Sequence, residues 1–366
     1  MKSLRKNYID NLRWGCILLL IPFHAAMAWN SWGEGNYIWF NSNKCLSTFI
    51  MFISPWYMPL LFILAGMSAK YSLNKRTESD FIKERIKKLL IPFFIGMVTI
   101  VAGMTYYADK FNNNYSGSFF SHYGTFFTKF TDLTGYDGGW TPAHLWFILY
   151  LFIISILSLG IIWIQKRFFY NFSCKNIRKH QIYLLGMIPI IATPILNVGE
   201  KSIGMYMSLY LIGYYVFAED VVIEKIAICR VWNLVIMIVA DIIDIYLFIW
   251  HENDNSIVNS INSIMMYITL WFGILTIIGF ARKEFNFSNS ITRYFSAHSY
   301  KIYIIHFIWI VVFQFYISKA IENIGILYII PVVLSYFMTI LTCEILENVK
   351  KIIKKLYKWK KYKCLI

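Results

Sequence analysis

The sequence predicts an all-α integral membrane protein of about ten transmembrane helices, with both termini cytoplasmic. Three observations carry this prediction. Hydrophobic residues make up 58% of the 366 residues, with a mean hydropathy of +0.53, well above the roughly 45–50% apolar content of soluble domains. Apolar runs of about 20 residues, the length that spans a bilayer, recur from one end of the chain to the other. When these runs are threaded through a membrane, the basic residues gather on one side.

The runs lie near 12–30, 46–69, 89–108, 143–164, 182–196, 204–217, 231–250, 261–280, 302–318 and 326–347. The first imitates a secretory signal, with Lys2, Arg5 and Lys6 ahead of it and "AMA" at 26–28, but Arg13 and His24 inside the apolar core argue for a retained helix. The fifth and sixth are short and punctuated by Pro189, Pro194 and Gly199, so they read as two spans or as one broken helix. Charge favours the even count. Of the 35 Lys and Arg residues, the outer segments hold only Lys44, Lys110, Lys129, Lys201 and Lys319, whereas an odd count would put the lysines of 348–366 outside.

One transmembrane domain over 1–347 and a basic cytoplasmic tail over 348–366 follow. The tail "KKIIKKLYKWKKYK" interleaves Lys with Ile, Leu, Tyr and Trp, which suits a helix lying on anionic headgroups as well as a plain orientation signal. The net charge of +15 is a product of this topology and requires no nucleic-acid partner. On the inner side "KYSLNKRTESDFIKERIKKLL" is basic and helical from Ser79 as N-cap. The longest polar interval, 109–142, lies outside, and its aromatic, Asn, Asp and Gly content suits either a sugar-binding surface or a simple connection. Six scattered cysteines without a C-x-x-C pair imply neither a disulfide framework nor a metal site. No repeat and no inverted pair of halves is visible.

Charged and titratable groups inside the apolar runs are the candidates for chemistry, because hydrocarbon penalises them. Arg13 and His24 are eleven residues apart. At about 100° and 1.5 Å per residue they share one helix face, roughly 16 Å apart along the axis. Pro22 loosens the backbone beside His24, and Asp10, three residues before Arg13, is placed to hold the guanidinium. His144 opens the fourth run in "PAHLWFILY" and His306 lies in "KIYIIHFIW". Asp241 and Asp244 read as hydrogen-bonded glue between helices.

The chain resembles the membrane-bound acyltransferase-3 family, particularly its branch similar to the glucan succinyltransferases. The resemblance rests on an arginine, ten residues and a histidine in "YIDNLRWGCILLLIPFHAAMAW", followed in order by "PLLFILAGMSA" at 59–69, "FIKERIKKLLIPF" at 81–93, "HLWFILYL" at 144–151 and "SYKIYIIHF" at 299–307. It implies a multi-pass protein of the cell membrane that moves an acyl group from cytoplasmic acyl-coenzyme A, acetyl- or succinyl-CoA, to a hydroxyl of a carbohydrate or other cell-surface acceptor. On that reading Arg13, Arg85 and Lys88 hold the coenzyme phosphates and His24 is the general base. His306 and His144 steady the oxyanion or the acceptor. Where many members carry a second arginine before the L-L-x-P segment, Lys88 keeps the charge but loses bidentate geometry. The rival expectation is a transporter or flippase in which His24 relays protons and Arg13 binds an anion.

Overall fold

The structure, a computed structural model, describes residues 6–130, 136, 138–168, 174–198, 201–251 and 255–363, with backbone alone over 357–363. The elements are α1 (Asn7–Trp29), α2 (Lys44–Leu73), α3 (Glu78–Asn112), a short helix α4 (Phe119–Phe126) and α5 (Ala143–Phe168). There follow α6 (Lys179–Leu184), α7 (Met187–Ala192), a two-stranded hairpin of β1 (Asn197–Val198) and β2 (Lys201–Ser202), α8 (Ile203–Phe217) and α9 (Asp220–Ile228). The chain closes with α10 (Arg230–Trp250), α11 (Ser256–Glu284), α12 (Ser290–Ile317) and α13 (Ile324–Lys363).

Among the described residues eight helices, α1, α2, α3, α5 and α10 to α13, are long and apolar enough to cross a bilayer, and α8 is a shorter apolar helix. The difference from ten runs lies in the fifth and sixth. Pro189 has no N–H to give to the carbonyl four residues back, and its ring crowds that carbonyl, so the run breaks at 185–186 into α6 and α7. The hairpin pairs Asn197 with Ser202 and Val198 with Lys201. With Ile203 N–H donating to the Leu196 carbonyl and Gly204 N–H to that of Ile195, it turns the chain back so that α8 packs along α7. The two runs are therefore arms of a hairpin rather than one broken helix. The N-cap of α3 is Thr77, two residues ahead of Ser79, because the Thr77 side chain accepts the Asp80 N–H.

Burial ranks the helices. In α2, 72% of the most apolar window is buried, against 22% in α13, which puts α2 at the centre and α13 at the lipid-facing edge. α1 packs against α2, α11, α12 and α13. Where α2 crosses α8 the backbones touch: a Cβ on Gly66 would strike the Tyr210 carbonyl, and one on Gly213 the carbonyl of Ile63. Small residues at such crossings let dispersion contacts replace the hydrophobic drive that lipid cannot supply.

Some polar groups inside the bundle are cross-linked, although Asp241, read as glue from the sequence, has a buried Oδ1 with no hydrogen-bond partner among the described residues. Asn262 Nδ2 donates to Asp244 Oδ1 at 2.6 Å, joining α11 to α10, the glue expected of Asp244, while apolar Val235, Val239 and Ile242 cover the outward face of α10. At the α1 end, Lys6 pairs with Asp220 at 2.9 Å and Glu224 receives Arg282 at 2.7 Å and Lys283 at 3.0 Å. Those hydrogen bonds from Arg282 and Lys283 hold the Glu224 carboxyl below the usual carboxylate range. Within 109–142, residues 131–135 and 137 lie outside the described residues. There His122 Nε2 stands 3.5 Å from Asp109 Oδ2, and burial lowers the His122 pKa against the pull of that carboxylate. In the basic tail, the lysines up to 355 are exposed, and the side chains from 357 onward lie outside the described residues.

Gly66→Ala and Gly213→Ala each force two backbones apart and are expected to cost about 1–3 kcal/mol, read as a lower unfolding temperature of the detergent-purified protein. Gly160→Ala, which meets nothing within 4 Å, serves as the control and leaves that temperature level or higher.

Candidate active site

His24 stands in the last turn of α1, two residues after Pro22. Beyond it the chain enters the loop 30–43, and Asn30 determines that loop's path. The Asn30 amide donates to the Glu34 carbonyl at 2.6 Å, and its oxygen accepts the Glu34 N–H at 2.9 Å. The returning strand is tied down by Phe40 N–H to the Ala28 carbonyl and Asn43 N–H to that of Trp29. Gly33 takes the bend at φ +78°, a conformation that suits glycine. From outside, Asn112 reaches the Tyr37 carbonyl at 3.2 Å, and Gly35 lacks a side chain where the Tyr136 ring lies.

The loop so clamped forms one wall of a cavity of about 320 Å³. His24 and His144 lie on its surface with Trp32, Glu34, Tyr37, Tyr57, Trp146, Lys201 and Tyr206. Flat rings with a few polar groups between them are the composition of a small-molecule site. These rings come from α2, α5, α8 and the loop between α1 and α2; Phe120 and Phe130 of the long polar interval 109–142 are instead 84% and 76% exposed.

At the cavity wall three imidazoles converge, with His24 and His144 on its surface and His306 behind them. The ring centres of His24 and His306 are 5.4 Å apart, those of His144 and His306 5.3 Å, and those of His24 and His144 6.5 Å. His24 also stacks on Phe307 at 4.3 Å. Carbonyls cannot donate, so the partners of two rings assign their protons. His144 Nε2–H donates to the Ile304 carbonyl at 3.0 Å, and His306 Nδ1–H to the Tyr303 carbonyl at 2.8 Å. This leaves lone pairs on His144 Nδ1 and His306 Nε2, both buried without a hydrogen-bond partner among the described residues. Tyr303 Oη donates back to the His144 carbonyl, locking α12 to α5. Ala143, just before His144, holds φ +48°, a left-handed conformation that costs an alanine about 1–2 kcal/mol. Strain of this kind next to a buried imidazole is typical of positions whose geometry is functional.

No described carboxylate pairs with any of the three rings, and no described serine or cysteine hydrogen-bonds to them. The arrangement can accept and pass protons, and the only nucleophiles it offers among the described residues are the imidazoles themselves. On the other side of the bundle Arg13 Nη1 donates to Asp10 Oδ1 at 3.1 Å, the pairing expected from their spacing, and Nη2 donates to Ser68 Oγ of α2 at 2.7 Å. Arg85 lies over the Phe81 ring with a buried Nε that has no partner among the described residues. Lys88 is 70% exposed and turned to Glu84 Oε1 at 2.5 Å. The structure thus gathers His24, His144 and His306 into one cluster, ties Arg13 to α2, and leaves Lys88 on the surface of α3.

A model of the acyltransferase-3 family, described as an acyltransferase domain, matches residues 6–347. The chain belongs to the acyltransferase-3 family. Its curated relatives include the glucans biosynthesis protein C of Salmonella paratyphi B, of Salmonella heidelberg and of Salmonella enteritidis PT4. This acyltransferase-3 chain is 25% identical to each over 170 residues, which is 44% of its own length and 41% of theirs. The match therefore spans about two fifths of those relatives. No solved structure matches the chain.

Sequence reasoning did not single out Glu34, Lys201 or the rings Trp32, Tyr57 and Tyr206. They sit in connections or on helix faces where apolar periodicity carries no signal. The one local cue is the Asn30 to Glu34 spacing, which fits an asparagine bracketing a turn.

Asn30→Ala removes both bonds to Glu34. A faster amide hydrogen exchange across 31–37 is expected, by an amount corresponding to about 1–3 kcal/mol of local stability, with exchange in α2 unchanged.

Proposed function

We propose that the protein is a membrane O-acyltransferase that moves an acetyl or succinyl group from cytoplasmic acyl-coenzyme A to a hydroxyl of an extracytoplasmic glycan or cell-surface molecule. The observation that carries this reading is His24: it lines an aromatic cavity with polar groups between its rings, and none of the described residues hydrogen-bonds its ring. An imidazole inside a membrane and without a partner is costly unless something uses it. Family membership supplies the reaction class.

A free alcohol is a poor nucleophile at neutral pH. His24 accepts the hydroxyl proton as the oxygen attacks the thioester carbonyl, giving a tetrahedral oxyanion. Collapse breaks the carbon–sulfur bond, the ester forms, and His24 returns the proton to the departing thiolate. Direct transfer is the path we propose, and an acyl-histidine formed on the imidazole is the alternative to it. His144 and His306 spend their N–H groups on carbonyls, so they steady the acceptor as hydrogen-bond acceptors and have no donor left for the oxyanion. The coenzyme cannot enter hydrocarbon, so its phosphates stay at the inner mouth. Arg13, held by Asp10 and Ser68, anchors them, with Arg85 beside its free Nε donor. Lys88 contributes charge after leaving Glu84.

His24→Ala, in protein that accumulates and stays folded, is expected to lose about 10²–10⁴-fold in acyl transfer to glycan. Full activity in that variant would refute the base. Arg13→Ala raises KM for acyl-coenzyme A about 10- to 100-fold, the loss of a hydrogen-bonded charge, with a smaller change in kcat. Transfer of labelled acetyl by purified protein in detergent tests the reaction class itself, because a transporter gives no product without two compartments.

A further inference from the structure

The His24 cavity carries a charge that membrane orientation does not explain. Lysines are scarce in the outer segments, and others there have local companions. Lys44 lies over Trp250, Lys110 donates to the Tyr106 hydroxyl and Lys319 lies over Phe315. Lys201 is the one lysine or arginine among the described residues lining the cavity.

Its backbone is pinned. Tyr150 Oη donates to the carbonyls of Val198 at 2.8 Å and Lys201 at 3.3 Å, so the β1–β2 hairpin is anchored on α5. The ammonium stands 5.1 Å from the ring centre of Trp146, itself part of the cavity wall. No described carboxylate forms an ion pair with it. Glu34, the acid of the same wall, accepts the Trp32 indole N–H at 3.0 Å. An ammonium half removed from water and resting on a ring gains some cation–π energy but keeps donors to spare. At about 320 Å³ the cavity is small, at the low end of ligand pockets. A group that reaches His24 in it therefore comes close to Lys201.

We infer that Lys201 is a specificity-determining residue that reads a negative charge carried on the substrate close to the reacting centre. The charge is either a carboxylate at the far end of the acyl group or an acidic substituent on the acceptor sugar. This rests on the acyl-transfer reading of the same cavity. Lys201 touches the charged substituent, not the atoms that react, so it governs which substrate is used more than how fast the proton moves.

Binding without turnover tests the charge site independently of catalysis. Succinate, glucuronate and neutral glucose are titrated onto detergent-purified wild type, Lys201→Gln and Lys201→Arg, following tryptophan fluorescence, which Trp146 reports from beside the ammonium. At least one anion is expected to bind wild type and Lys201→Arg about tenfold or more tightly than Lys201→Gln, with glucose indifferent to the substitution. Succinate dependence points to the acyl group and glucuronate dependence to the acceptor. Equal anion binding by wild type and Lys201→Gln, or none by either, overturns the inference. In turnover, two ratios of kcat/KM are read: succinyl-CoA over acetyl-CoA on a neutral glucan, and a glucuronate-bearing over a neutral acceptor with acetyl-CoA. At least one should fall about tenfold in Lys201→Gln and recover in Lys201→Arg. Unchanged ratios in an active enzyme sink the role of Lys201 alone. Anion binding that depends on Lys201 in a wild type that transfers nothing would sink the acyl-transfer reading and leave the anion site standing.

Discussion

Hydrocarbon gives a polar side chain nothing to bond to, and the interior of this bundle is organised around that constraint. Three imidazoles brought into a membrane protein must either satisfy one another, find backbone carbonyls or face a cavity. Here two of them do the second: His144 and His306 each spend one N–H on a carbonyl of α12. His24 does the third. The assignment of protons that follows leaves lone pairs within the cluster, so the polar groups that cost most to bury are also the ones equipped to move a proton. Tyr303, donating to the His144 carbonyl, ties the helix of one histidine to the segment of another.

The same constraint separates the two ends of α1. The end near its N-terminus carries Arg13, held by a carboxylate and a serine hydroxyl and partly open to solvent, with a side-chain exposure of 34%. The other end carries His24 against an aromatic cavity. The stiffness of α1, clasped by α2, α11, α12 and α13, keeps the two ends in register. Gly66 and Gly213 let α2 and α8 approach backbone to backbone, and α8 in turn brings Tyr206 to the cavity.

Legibility in the sequence followed the range of each interaction. Arg13, Asp10 and His24 lie on one helix, so a fixed angle per residue was enough to place them on a shared face, and the Asp10 to Arg13 bond appears at 3.1 Å. The fifth and sixth runs were ambiguous because two prolines and a glycine are compatible with a kink or with a turn. What decides between these is a pair of backbone ladders between 195–198 and 201–204, invisible to hydropathy. The start of α3 was misplaced because Thr77 and Ser79 are both competent caps, and only the geometry at Asp80 shows which one is used.

The amino-acid sequence by itself determined the membrane class, the location of the long spans and the helical pairing at the start of the chain. Bilayer thickness and helix periodicity act on neighbours along one dimension, and composition alone satisfies them. Only the tertiary structure decided that His144 and His306 stand beside His24, that the aromatic wall comes from Trp32, Tyr57, Trp146 and Tyr206, and that Lys201 enters the same cavity. The imidazole contacts join residues more than a hundred positions apart through helix crossings set by side-chain shape. Local pattern places no constraint on which faces meet.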